Sequence, residues 1–505
     1  MTACKIPVLP VRLFKNVDTG EEKVEVAFFR KNRWETLITD RETVSNTQKI
    51  VSLANRGIAV TSLTARYLVE YMQDIIVDSE ETLPYEPSRS SLGWAMYEGN
   101  RVFLPYAKEI TFDDEGAFYE MFSYIKTEGD FDKWKEYIEN LRNYHIAIRL
   151  AMAASFASPL VELIGQNPFV FHIWGSTGTG KTVSLLVAMS IWGDPDRGHL
   201  VRTLNSTNNA MMKTAAFLRN IPFAGDELQT IKTRENNYDK IIMQLTEGID
   251  RSRLNAKSKL DSTKSWACSF LFSGEEPCIK SASGGGAKNR AIEIHCQEKI
   301  IPNGNPEAEF CKHNYGFAGE VFVNYLAEHV DEIRQMYSNI FNQIMESVST
   351  TEKQAGSMAL MLTADEIARR LFWPSESALT VEQVREYLCL AEEVDVSERA
   401  YKYIIDVIAE HNKNFSSDSY IQWGKIDDDN NVFFIKNTLE NVLLQGNFDF
   451  DSVKNSWAQK GYIELHGGKF TVSTRIKNTV ARAVKFNSAC FPDEIVTNFD
   501  DEIPF

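Results

Sequence analysis

The sequence predicts an α/β fold in which a parallel sheet carries a phosphate loop. Three observations predict it. Gly175-Ser176-Thr177-Gly178-Thr179-Gly180-Lys181-Thr182 is a glycine-rich run ending in Lys-Thr. Residues 169–174 before it are apolar and suit a buried strand, while Val183, Leu186, Val187 and Ile191 after it recur at helical spacing until Gly193-Asp194-Pro195. From residue 164 to about residue 294, apolar strand-like runs alternate with helical ones, and alternation of that kind implies crossover connections.

Taken in order, residues 8–15, 23–30 and 33–39 read as strands, the first two joined at Asp18-Thr19-Gly20. Residues 47–56 and 62–73 read as helices, with 57–60 a short strand between them. Residues 84–91 carry prolines and serines and read as a linker. Gly93-Trp94 and residues 102–104 suggest a hairpin, closing a small α+β N-terminal domain over residues 1–106. Helical patterning fills 118–164, and the phosphate-loop core spans 107–320. Residues 317–396 are mostly helical and predict a lid and linker over 321–415, with a last helix at 397–414 capped by Ser397. Helix candidates at 439–445 and 450–459, then a hairpin at 461–472 turning at His466-Gly467-Gly468, describe a winged helix within 416–488. A generic small α/β cap has the same pattern.

The chain has 505 residues, enough for several domains with sizeable cores. No run of eighteen apolar residues exists, so no membrane span is expected, and the first residues lack a secretory apolar core. Seven cysteines lie scattered without a Cys-x-x-Cys pair, which fits reduced thiols and a cytoplasmic location. The net charge of −16 argues against a uniformly basic surface, so any polyanion contact must rest on local clusters.

The glycines of residues 175–182 let main-chain N–H groups curl around a phosphate at a helix N-terminus. Lys181 is expected to reach the β- and γ-phosphates of ATP, and the Thr182 hydroxyl to ligate Mg²⁺. Forty-five residues after Lys181, the apolar run 221–225 ends in Asp226-Glu227. That spacing allows a helix, a connection and a return strand, placing Asp226 to hold Mg²⁺ and Glu227 to polarise water. Residues 251–264 hold Arg251, Arg253, Lys257, Lys259 and Lys264 against one acid. The stretch is either a solvated basic loop or a hairpin whose Arg253, Lys257 and Lys259 meet DNA phosphates in a ring's pore. Residues 266–272 read as the next buried strand, which presents Ser273 and Glu275 as γ-phosphate sensors. Arg290 closes a glycine-rich loop before the strand 291–294. It is either a finger reaching a neighbouring subunit's site or a salt bridge within its own chain.

The stretch from His172 to Pro195, including Trp192-Gly193-Asp194-Pro195, together with Asp226-Glu227-Leu228, Ser273-Gly274-Glu275 and Arg290, resembles a family of AAA+ ATPases of bacterial mobile elements. That family has long been catalogued as a domain of unknown function. The resemblance covers nearly the whole chain and implies an MCM-like, self-loading hexameric DNA helicase that replicates a mobile element, with a C-terminal winged helix. It implies Arg290 as a finger in trans and Lys257 and Lys259 as pore residues. A second sensor is not matched, with Lys353 and Arg369 as possibilities. An initiator or DNA-remodelling regulator without processive unwinding is the alternative.

The last residues, Phe499-Asp500-Asp501-Glu502-Ile503-Pro504-Phe505, resemble the C-terminal tip of bacterial single-stranded-DNA-binding proteins. The resemblance implies that residues 489–505 dock host replication or repair proteins, with the Phe505 ring as anchor. An ordinary acidic tail is the plainer reading.

Overall fold

A computed structural model describes residues 2–114, 116–231, 238–250, 264–280 and 283–491. The chain divides into two compact units. The first comprises residues 1–279, 290–347 and 352–388, and the second residues 280–289, 348–351 and 389–505.

The first unit begins with the strands β1 (Val8–Asn16), β2 (Glu22–Arg30) and β3 (Arg33–Asp40), an antiparallel meander. Asn16 sets the first turn, its Oδ1 accepting from the N–H groups of Asp18 and Thr19 at 3.0 and 3.1 Å. Val24, Val26 and Phe28 alternate along β2 onto the face covered by the helix Ala65–Asp78, which buries Leu68, Met72 and Ile76 at i, i+4 and i+8. Beyond this helix come β4 (Tyr85–Arg89), the hairpin β5 (Gly93–Tyr97) and β6 (Asn100–Leu104), and β7 (Thr111–Phe112).

Three expectations change here. Residues 84–91 are not a linker, because β4 pairs in parallel with β1 and the sheet runs β3-β2-β1-β4-β7, carrying it past Tyr106. Arg89 makes this possible: fully buried, it donates to Asp18 at 2.7 Å and to the carbonyls of Leu92 and Gly93. Residues 50–56 form a 3-10 helix, not an α-helix. Residues 57–60 form no strand: Ile58 and Val60 are buried, and alternation alone mimicked a strand that has no partner edge.

The Gly93-Trp94 hairpin locks onto the core that follows. Trp94 N–H donates to Asn220 Oδ1 at 2.9 Å, and its indole N–H to the Pro159 carbonyl at 2.9 Å. Only glycine fits at position 93, with φ of +84° and a Cβ site 2.2 Å from Asn220 Oδ1.

The core sheet contains β8 (Phe169–Gly175), β9 (Val201–Thr203), β10 (Phe223–Asp226), β11 (Ser269–Gly274) and β12 (Ala291–Cys296). Every neighbouring pair is parallel and the order is β12-β8-β11-β10-β9. The strand after the basic stretch thus starts at Ser269, later than expected. Behind the sheet runs the helix Ile146–Ile164, rich in Ala, Leu and Ile and buried on almost every side. It is long and apolar enough to cross a membrane, yet 83% of that window is buried in this fold. It packs on the helix Glu352–Phe372, one of three successive helices with Phe317–Glu328 and Val330–Ser347, as expected for this region. Arg142 and Arg149 reach Asp365 at 2.8 and 2.5 Å, Arg142 also reaches Glu376 at 2.7 Å, and its guanidinium lies 4.2 Å from the Trp373 ring.

In the second unit the helix Val396–Glu410 is capped by Asp395, which accepts from the Ser397 N–H at 2.7 Å. Asp395, not Ser397, is therefore the cap. The chain continues through β13 (Gly424–Ile426), β14 (Val432–Ile435), the helices Lys436–Gln445 and Phe450–Gln459, β15 (Val472–Ile476) and β16 (Thr479–Phe486). The sheet is antiparallel in the order β13-β14-β16-β15. Ile404, Phe434, Leu439, Trp457 and Phe486 form its core. The terminal hairpin is β15–β16, turning after Ile476, rather than the expected 461–472. At the earlier position only an isolated bridge joins His466 to Lys469.

Candidate functional site

The order of the core sheet brings the ends of β8, β10 and β11 to one edge, and the residues singled out in the sequence meet there. At the end of β8 the loop turns into the helix Lys181–Met189. Glycine is required twice. Gly175 has φ of +147° and a Cβ there meets the Cys296 carbonyl at 2.3 Å; Gly180 has φ of +101° and a Cβ there meets Ile301 at 2.8 Å. Lys181 Nζ donates to the carbonyls of Gly175 and Ser176 at 2.8 and 2.7 Å, so its charge rests on the rim of its own loop. Thr179 Oγ1 closes the loop on the Ser176 carbonyl at 3.0 Å.

The Thr182 hydroxyl donates to Asp226 Oδ1 and Oδ2 at 3.0 and 3.2 Å. Asp226, at the end of β10, is buried, and it also accepts from Ser273 Oγ on β11. Glu227 is half-exposed, and its backbone sits at φ of +62°, a conformation that costs a non-glycine residue about 1 kcal/mol or more. Its N–H donates weakly to Ser273 Oγ at 3.4 Å. Ser273 therefore touches both carboxylate residues. Glu275, just beyond β11, accepts from Thr177 Oγ1 at 3.0 Å across the mouth of the loop.

These groups line one cleft of about 340 Å³, which includes Thr177, Gly178, Gly180, Lys181, Thr182, Asp226, Glu227, Ser273 and Glu275. Cys296 lies beside Gly175 on the neighbouring strand, and burial pushes its thiol up to about 11 against the opposing pull of Lys181.

Arg290 directly precedes β12. Its carbonyl accepts from the Val170 N–H at 2.8 Å, and its Nη1 lies 2.9 Å from Met243 Sδ. Arg369 is engaged by Glu366 at 2.9 Å and by the carbonyl of Glu376. Arg253, Lys257 and Lys259, and the tail from Phe499 to Phe505, lie outside the described residues.

Sequence reasoning missed Arg197, Asn303, Asn305 and the pair His172–Glu293. Arg197 Nη2 reaches Asp226 Oδ2 at 3.0 Å and Glu227 Oε1 at 3.5 Å. A lone arginine after Gly193-Asp194-Pro195-Asp196 gave no signal beyond its place between the loop helix and β9. Asn303 and Asn305 line the far wall of the cleft, brought there by a loop with no motif. His172, buried in β8, pairs with Glu293 of β12 at 2.9 Å, and Glu293 also accepts from the Cys278 N–H at 2.7 Å. This pair ties the sheet to the turn after β11.

The solved structure described as "SCCmec type IV Cch - active helicase" superposes with a TM-score of 0.74 at 19% sequence identity, covering 97% of this chain and 95% of that one. At that identity the likeness establishes the fold. No curated protein matches the chain. A family model described as the Cch helix turn helix domain matches residues 395–493 of the second unit. The model of the family catalogued as a domain of unknown function, DUF927, matches residues 2–265, more than half of the chain, and the chain belongs to that family.

Proposed function

We propose that this protein is an ATP-driven DNA helicase of the AAA+ class that works as a homo-hexamer on the DNA of a mobile genetic element. One observation carries the reading: Thr182, Asp226 and Ser273, from three separate parallel strands and their loops, converge beside the phosphate loop. A loop with two obligatory glycines, a lysine, and a hydroxyl facing a buried carboxylate fits a nucleoside triphosphate with its magnesium ion. Lys181 leaves its loop carbonyls for the β- and γ-phosphates. Thr182 and Asp226 hold Mg²⁺, which supplies neutralisation of phosphate charge when bound. Glu227 orients and polarises the attacking water, while Ser273 and Glu275 register the γ-phosphate. Arg290 of a neighbouring protomer completes the site.

The remaining parts of the chain extend this reading. Residues 321–415 form the lid and linker, and residues 416–488 a winged helix supporting DNA contact. Arg253, Lys257 and Lys259 serve as the contacts to DNA phosphates, and the tail ending at Phe505 recruits host replication or repair proteins in the cytoplasm. The likeness to an active helicase and the helix-turn-helix match support this reading.

Strand displacement from forked DNA tests it. Wild type releases the labelled strand only with ATP and magnesium, while Lys181→Ala and Glu227→Gln release none. ATP turnover without any strand release, over both short and long duplexes, refutes the helicase reading.

A further inference from the structure

The match to a helix-turn-helix domain directs attention to the helix Phe450–Gln459 as the DNA-contacting element. Its charges point elsewhere. Lys454 is paired with Asp451, one turn before it. Lys460, at the helix end, donates to Asp395 and Glu398 at 2.7 Å each. Lys436 and Lys485 are likewise paired, with Glu440 and Glu464 at 3.1 and 2.6 Å. The helix therefore offers exposed Ser452, Asn455 and Gln459 but no uncompensated cation.

The hairpin β15–β16 is different. Residues 465–491 contain five basic residues and no acid, in a chain whose net charge is −16. Pairing sets Ser473 opposite Arg482 and Arg475 opposite Val480. Side chains alternate along a strand, so these four share one face of the ribbon. Arg475 and Arg482 are exposed there, and among the described residues neither is paired with a carboxylate. Val480 is 70% exposed between them. At the turn Lys477 holds φ of +51° and its Nζ donates to the Ser419 carbonyl, which fixes its position without neutralising it. The next residue, Tyr420, is fully exposed. β15 is also the edge strand of its sheet, with β16 on one side and no further strand paired on the other.

We infer that the hairpin face bearing Arg475, Lys477 and Arg482, rather than the helix Phe450–Gln459, supplies the electrostatic contact to the phosphodiester backbone of duplex DNA. The inference rests on the reading that the protein works on DNA. Three cations without a carboxylate partner on one hairpin suit phosphates, whereas paired lysines must give up a carboxylate first. The helix is left to contribute polar contacts without counterion release.

The test is equilibrium binding of full-length protein to a short duplex across a salt series. Each lost phosphate contact lowers the magnitude of the log–log salt slope by about 0.9. The triple variant Arg475→Ala, Lys477→Ala, Arg482→Ala is expected to lower it by about 2 to 3 and to weaken binding at least tenfold at low salt. The variant Arg475→Lys, Arg482→Lys keeps the slope, and so does Asn455→Ala, Gln459→Ala, because those two groups carry no charge. Thermal unfolding confirms that each variant is folded. An unchanged slope in the triple alanine variant overturns the inference, as does a tenfold loss in the helix variant with the hairpin variant unaffected. ATP turnover by Lys181→Ala without DNA scores the nucleotide reading separately, so either idea falls alone.

Discussion

Arg197 Nη2 lies 3.0 Å from Asp226 Oδ2, on the same carboxylate that accepts from the Thr182 hydroxyl. A guanidinium thus occupies one oxygen of the pair expected to hold magnesium, within a single chain. It must move aside, or share the carboxylate, when the ion enters. An ion pair of this kind, its arginine half-exposed and its carboxylate buried, contributes about 1 kcal/mol. Arg197→Ala is therefore expected to lower the magnesium concentration for half-maximal ATP turnover by a few-fold. A magnesium titration of turnover checks it, and an unchanged midpoint shows that Arg197 does not compete.

Glu227, proposed to activate water, holds a left-handed backbone at φ of +62°. Asparagine adopts that conformation more readily than glutamate. Glu227→Asn should unfold at no lower temperature than wild type while turnover falls about 100-fold or more. Calorimetry beside an ATPase assay measures both. A marked loss of stability removes the strain argument.

The buried charges around Asp365 make a stability prediction. Its oxygens accept from Arg142 and Arg149, both buried. Asp365→Ala leaves two guanidiniums short of a partner and should destabilise the first unit by about 3 to 5 kcal/mol. Urea unfolding followed by tryptophan fluorescence, with Trp373 stacked against Arg142, reports it directly.

Buried thiols set the alkaline limit. Burial pushes Cys296 up to about 11 and Cys311 up to about 12. An unfolded thiol ionises near 8.5, so between that pH and 11 the folded chain retains protons that the unfolded chain loses. Stability is therefore whole below about pH 8.5 and falls as pH rises through this window. Urea midpoints at pH 8 and pH 10 should differ less in Cys296→Ser, Cys311→Ser than in wild type. An equal difference in both excludes these two thiols as the cause.

Much of the cleft was legible because its chemistry is local in sequence. The loop from Gly175 to Thr182 fixes its own turn, and Asp226-Glu227 and Ser273 each end an apolar run. Strand ends along one edge of a parallel sheet then meet without further instruction. Arg197 was not legible, since its reach to Asp226 depends on how residues 193–200 fold back. Likewise β4 looked like a linker because its proline and serine disguise a strand held by buried Arg89. The last hairpin was displaced by one turn candidate, His466-Gly467-Gly468, whose glycines outweighed the plainer Lys477-Asn478. Alternation of exposed and inward residues through 472–486 was the better guide.

The position of Ser273 has a mechanical consequence. Its strand lies between the strand that ends in the phosphate loop and the strand that ends in the acidic pair. A single hydroxyl there leans on Asp226 and on the main chain of Glu227 together. Any slide of β11 along its neighbours must disturb both acids in the same stroke. The middle strand thus keeps the two acids in one fixed relation to each other.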